Sequence, residues 1–292
     1  MASKPARIWG ILCILVISWS LVGCSSNRLI VKSMEPVMDK MNIAVNMNPD
    51  VDMVRDALPA TLIQLDGFIE AAPEEKLLLK AAEAYFGYSF AFVEDVDKKR
   101  AGLLYMKARN YALQALLGDK SFGRFLDKTL EEFKKNLNSY GKGDVPALHW
   151  IANCWMAWAA QNINNPQVLM DVPKIEATLL RVIELDETFY YGGSHAALGA
   201  FYASRSKTIG GDPDKAKHHF DRAFSISDSK IFFFYLLYAQ YYAYQIQDRE
   251  LFEKTLNDVM SKPVGYFPEK NFANEVAKRK ARLLLEKIDD YF

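Results

Sequence analysis

The sequence predicts an all-α protein, a degenerate array of helix pairs forming an α-α superhelix with elaborated loops. Three observations carry this reading. Beyond residue 30, apolar positions recur at intervals of three and four, as in Leu58, Leu62, Leu65 and Ile69, or Ala81, Ala84, Tyr85 and Tyr88. That spacing lines one face of a helix, and no segment alternates as a half-buried strand would. Breaks fall at helix-pair intervals: Pro73, Gly118-Asp119, Gly141 to Asp144, Asn164 to Pro166, Gly210 to Pro213, and Pro263 to Pro268. They divide the chain into about eleven or twelve helices. Small and aromatic residues also return in register from one helix pair to another.

The elements follow in order. Lys4 and Arg7 precede a 15-residue apolar run from Ile8 to Val22. That run is short of the roughly 20 residues a spanning helix needs, so residues 1–23 read as a secretory signal peptide. Leu21-Val22-Gly23-Cys24 resembles a bacterial lipobox, which implies acylation of Cys24 as the mature N-terminus. Acyl chains contribute about 0.8 kcal/mol per buried methylene, so several anchor stably. Ser25 and Ser26 follow instead of Asp, which points by analogy to the outer membrane of a Gram-negative cell, facing the periplasm. Residues 24–48 read as a lipidated N-terminus, a tether and a short helix, and residues 49–292 as one all-helical domain. Within it, Asp212 is placed to cap a helix with Pro213 at its first position, and Asp144 and Asn165 sit similarly.

Two segments resemble the tetratricopeptide repeat. His195, Leu198-Gly199 and Tyr202 match its first helix, and Ala216, Phe220 and Ala223 its second. Leu78, Ala81-Ala82 and Tyr85 pair likewise with Ala101, Tyr105 and Ala108. Small residues let two helices approach while the aromatic fills the groove between them. The intervals from Tyr202 to Ala216 and from Tyr85 to Ala101 exceed the usual spacing, so the turns carry insertions. Stacked pairs of this kind curve around a concave binding face.

Composition narrows the function classes. The 36 basic and 36 acidic residues balance, and the mature chain keeps 34 against 36 once Lys4 and Arg7 are lost. With no basic run, a dedicated nucleic-acid binder is excluded. Aromatic residues make up 13% of the chain, enough for a bulky core or an aromatic surface offered to something else. The signatures of P-loops, zinc proteases, serine hydrolases and zinc ribbons are absent. Cys13 leaves with the signal and Cys24 carries lipid, so Cys154 has no partner and reads as a small buried apolar residue. His218 and His219 are neighbours on one helix and read as solvated surface; His149 and His195 are free to meet in space. Tyr190-Tyr191-Gly192-Gly193 is either a pocket wall or a tight turn. Gly210 to Pro213 reads as a cap rather than an anion site, because the Asp212 carboxylate would occupy the same amides. Ile231 to Tyr244 holds eight aromatics in fourteen residues and no charge, so its helix is buried all round or opens one face to an apolar partner.

Ordered blocks then resemble one family, the T component associated with TRAP transporters. They are Ala81-Ala82 with Tyr88 to Glu94; His149-Trp150 with Ala157-Trp158; Arg181 to Asp186 with Gly192 to His195 and Leu198-Gly199; and Gly210 to Pro213 with Ala216, His218 and Phe220. Asn274, Ala281 and Leu284 close the pattern, which covers most of residues 55–292. Arg205-Ser206-Lys207 departs from it, standing where a proline is expected. The resemblance implies a non-enzymatic, cofactor-free lipoprotein that forms a homo-oligomer, with a trimer the expected form. It would dock the extracytoplasmic solute-binding protein of a TRAP transporter and hold or pass a small hydrophobic ligand. Trp155, Tyr191, His195, Tyr202, Tyr238 and Tyr242 are the candidate ligand- or partner-binding residues, chosen as aromatic or histidine positions near the matched blocks. Two other classes compete: an outer-membrane scaffold lipoprotein that binds peptide or envelope-assembly partners, and a hydrolase around His149 or His195. The hydrolase lacks a visible nucleophile or metal.

Overall fold

The computed structural model describes residues 27–118 and 126–292. The signal peptide, Cys24 and the Asp119 break lie outside them. The described residues form twelve α-helices and no strand: α1 (27–47), α2 (Val51–Ala71), α3 (Glu75–Tyr88), α4 (Lys98–Leu117), α5 (Leu130–Leu137), α6 (Val145–Gln161), α7 (Pro166–Asp186), α8 (Phe189–Ala203), α9 (Pro213–Ile226), α10 (Phe232–Leu237), α11 (Arg249–Ser261) and α12 (Asn271–Glu286). The all-α class and the expected number of helices hold. Where a tether and a short helix are expected, residues 27–47 form one continuous helix.

Helix starts follow local chemistry. Asp50, Asp97, Asp212 and Asp248 each accept a hydrogen bond from an amide in the first turn of the helix they cap. Asn165 accepts from the Gln167 amide at 3.0 Å. Asp144 acts differently from expectation. Its carboxylate accepts from the Gly141 amide at 2.8 Å, stabilising the turn before α6 rather than the first amides of the helix.

Helices adjacent in sequence pack on each other, α3 on α4 and α8 on α9 among them. At the α8–α9 crossing a β-carbon on Gly199 would stand 2.7 Å from the Phe220 ring, which only glycine avoids. The Arg205–Asp212 turn depends on Gly211 in the same way. A β-carbon there would meet the Arg205 carbonyl at 1.8 Å, and the Gly211 amide donates to the Ser206 carbonyl at 2.9 Å. This closes the turn without the proline expected nearby.

The last helix reaches back to the first ones. Arg279 on α12 donates to both Asp52 oxygens on α2, at 2.8 and 3.0 Å, and the Asn271 side-chain amide donates to the Met47 carbonyl. Lys280 bonds Glu94 and Asp95, between α3 and α4. The largest apolar cluster runs from α2 to α12; a second joins α10, α11 and α12, and a third joins α1, α2 and α3.

Candidate functional site

Two helices end in π turns. α3 continues through Ser89–Val93 and α10 through Tyr238–Ala243, with the Glu94 amide donating to Ser89 and the Asp248 amide to Ala243. Such turns are over-represented at functional sites, because the extra residue re-aims the side chains around it. Here Phe90 of the first π turn meets Phe233 of α10 edge-on, with ring centroids 4.7 Å apart.

A third irregularity kinks the first turn of α8. Tyr190, Tyr191 and Gly192 are wound left-handed, with φ of 50°, 59° and 80°. Glycine takes this conformation freely, but for each tyrosine it costs about 1–2 kcal/mol. The strain is held by what the side chains reach. The Tyr190 hydroxyl donates to Glu83 on α3 at 2.9 Å, and its ring packs against His149 and Trp150 of α6, both with centroids within 5.2 Å. Lys270 sits over the Tyr190 ring at 4.6 Å and the Tyr191 ring at 5.6 Å.

The first π turn, α10 and the left-handed turn border one cavity of about 170 Å³. Its wall is mostly hydrocarbon and aromatic: Phe86 of α3, Phe90, Trp150, Phe233 and Phe272 of α12. Asn42, Val45 and Asn46 bring the end of α1 to it, and Gly87 leaves a gap, with no atom within 4 Å of where its β-carbon would be. An apolar cavity of about 150 Å³ is enough to hold benzene dry. Glu83 and Lys270 are the two charged residues of the lining, so their charges offset.

The remaining polar groups are neutral. Burial drives the His149 imidazole down to about 3, so it is uncharged at neutral pH, with Nδ1 3.1 Å from the Ser194 hydroxyl. Burial, reinforced by Glu83, pushes the Tyr190 phenol far above its ordinary value, which keeps it a donor. Among the described residues no group of three His, Cys, Asp or Glu side chains could hold a metal.

The pattern of helices around this cavity extends over the part of the sequence that matches the family model of the TRAP transporter T-component, residues 47–292. The chain belongs to that family. No curated protein matches it. Membership makes this T-component part of a TRAP transport system, and among its described residues no helix is long and apolar enough to cross a membrane.

Of the six candidate residues in this T-component, the structure places only Tyr191 on the cavity wall. Trp155 is 1% exposed, and its indole donates to the buried Asp171 at 2.8 Å, under the guanidinium of Arg109. It is a core residue with its polar atom satisfied. His195 does not meet His149. Its Nδ1 lies 2.9 Å from that of His219, and its Nε2 is 3.3 Å from Glu187, which Arg222 holds down to about 2. Tyr202 stacks on His219 and donates to Glu176 at 2.6 Å. His218 is exposed as surface, but its neighbour His219 belongs to this inner network, so the solvated reading holds for one of the pair. Tyr238 and Tyr242 stack on each other at 4.9 Å, beside Phe220 and Phe224 and away from the cavity. The aromatic run contributes through Ile231, Phe233 and Phe234 instead.

Phe86 and Phe272 are wall residues that the sequence did not single out, whereas Phe90, His149 and Trp150 lie in the blocks that resemble the family. The Tyr190 to Gly193 segment is both things its residues suggested, a tight turn and a wall.

Proposed function

We propose that this T-component is a non-enzymatic, periplasm-facing lipoprotein that holds or passes a small hydrophobic ligand in its central cavity while docked to a TRAP solute-binding protein. The anchor is acylated Cys24, the membrane is the outer one, and residues 49–292 act as a single tetratricopeptide-like domain that assembles as a trimer. The observation that carries the ligand reading is the cavity, apolar on most of its wall and charge-balanced at Glu83 and Lys270. Such a wall repays burial of hydrocarbon and gives a net charge no partner. Strain kept at Tyr190 and Tyr191 beside it supports the same reading, since strained backbone clusters at ligand sites.

The test is to purify the full chain from its own membranes after gentle cross-linking and to identify co-purifying proteins and small molecules by mass spectrometry, for wild type and for Gly87→Leu. The leucine fills open space in the cavity. Wild type is expected to bring down a TRAP solute-binding protein and an apolar molecule, and the variant to keep the protein and lose the molecule. Recovery of envelope-assembly proteins alone, with no small molecule, overturns the proposal in favour of a scaffold.

A further inference from the structure

The outward half of α1 is built the opposite way from an ordinary surface helix. Its charges lie toward the body of the protein. Arg28 and Lys32 pair with Glu74, Glu35 pairs with Lys76, and Asp39 pairs with Lys80, all at the start of α3 or just before it. Val31 and Met38 are buried beside Leu65 and Ile69 of α2. What remains outside is mostly apolar, with Ser33 and Lys40 as polar residues on that face. Leu29, Ile30, Val37, Met41, Ile43 and Met47 are between 49% and 72% exposed, and Pro36 and Ala44 lie exposed among them. The outward charge is the single cation Lys40. A helix of 21 residues makes this face about 30 Å long. Apolar surface of that extent on a soluble protein marks a contact.

We infer that the outward face of α1 lies in the surface of a lipid bilayer. Three observations select lipid over a second copy of the chain. The apolar segment Ile8–Val22 and Cys24 end three residues before α1 begins, which ties its start to within about 11 Å of any membrane that either of them enters. The exposed apolar residues also spread around half the helix. Leu29, Ile43 and Met47 project on one flank and Ile30, Val37 and Met41 on the other, whereas a helix-to-helix seam needs only a narrow stripe. Finally, Lys40 is the sign of charge that anionic headgroups attract, and no carboxylate shares its face. Asn42, Val45 and Asn46 line the cavity from the inner side of this same helix, so docking sets the cavity about one helix diameter, roughly 10 Å, from the bilayer. The inference stands whether or not the cavity holds a ligand.

The test uses the full chain in vesicles of phosphatidylethanolamine and phosphatidylglycerol that contain a diazirine-bearing phosphatidylcholine. After irradiation, peptide mapping locates the lipid adducts. Adducts are expected on Ile30, Val37, Met41 and Met47. The Val37→Glu/Met41→Glu variant, changed at two exposed positions, is expected to keep the wild-type thermal midpoint and lose most of the α1 adducts. Adducts confined to the first 26 residues overturn the inference, as do copy-to-copy cross-links that join residues 30–44 of two chains.

Discussion

Individual residues in this T-component differ sharply in what they tolerate, and close contact decides which. Gly199→Ala forces the Phe220 ring to move from 2.7 Å. Overpacking of this kind costs about 1–3 kcal/mol, read as a lower denaturant midpoint. Gly87→Ala, with no atom within 4 Å, is expected to be neutral or to stabilise α3 by about 0.5–1 kcal/mol, because alanine loses less backbone entropy. Trp155→Phe keeps most of the packing but deprives the buried Asp171 of one of its two donors, the other being Gln167. An unsatisfied buried carboxylate oxygen sets the expected loss at about 1–3 kcal/mol. If Trp155→Phe unfolded at the wild-type midpoint, the indole–carboxylate bond would have no structural role.

At the level of elements, the attachment of α1 turns on apolar burial rather than charge. Its ion pairs with α3 are largely solvent-exposed, and such pairs contribute at most about 1 kcal/mol each. Val31 and Met38 are buried in the cluster with α2 and α3. Met38→Ala is therefore expected to speed hydrogen exchange across residues 27–47 strongly, and Glu74→Gln only slightly. Equal acceleration by the two variants would show that charge holds the helix. The caps give a second comparison. Asp97 and Asp248 each accept an amide bond at the start of the helix that follows a π turn. Replacement of either by Ala is expected to cost about 1 kcal/mol, read by denaturant unfolding.

For the whole molecule, the buried imidazoles shape the response to acid. The His149 imidazole is held near 3 by burial, and that of His219 near 4 for the same reason, while in the unfolded chain each protonates near its ordinary 6.5. Between those values the unfolded state binds more protons, so stability falls as pH drops below 6.5 and recovers as pH rises. Each such group tilts unfolding free energy by up to about 1.4 kcal/mol per pH unit in that window. His149→Asn removes one of them, and its plot of stability against pH from 6.5 to 5 is expected to be flatter than wild type. That range lies above the titration of Glu187 and Asp66, whose lowered values take effect in stronger acid. An unchanged slope in the variant would mean that His149 reaches solvent before the protein unfolds.

Local chemistry along the chain determined the helices. Periodicity, prolines and aspartate caps act over a few residues, so the all-α class, the number of helices and the Asp212 cap were legible in the sequence itself. The same locality limits what residue type alone says about a site. Trp155, Tyr202, Tyr238 and Tyr242 look like binding residues by type, but whether a ring faces a cavity or another ring depends on helices far away in the chain. Tyr202 is satisfied by Glu176, and the cavity is assembled from α1, α2, α3, α6, α8, α10 and α12. Tyr191 reached the wall because a left-handed turn, stabilised by Glu83 and Lys270 from distant parts of the chain, re-aims its neighbourhood. Tertiary structure alone decided the site, because the contacts that enclose it join residues widely separated in sequence, whereas backbone propensity acts only between near neighbours.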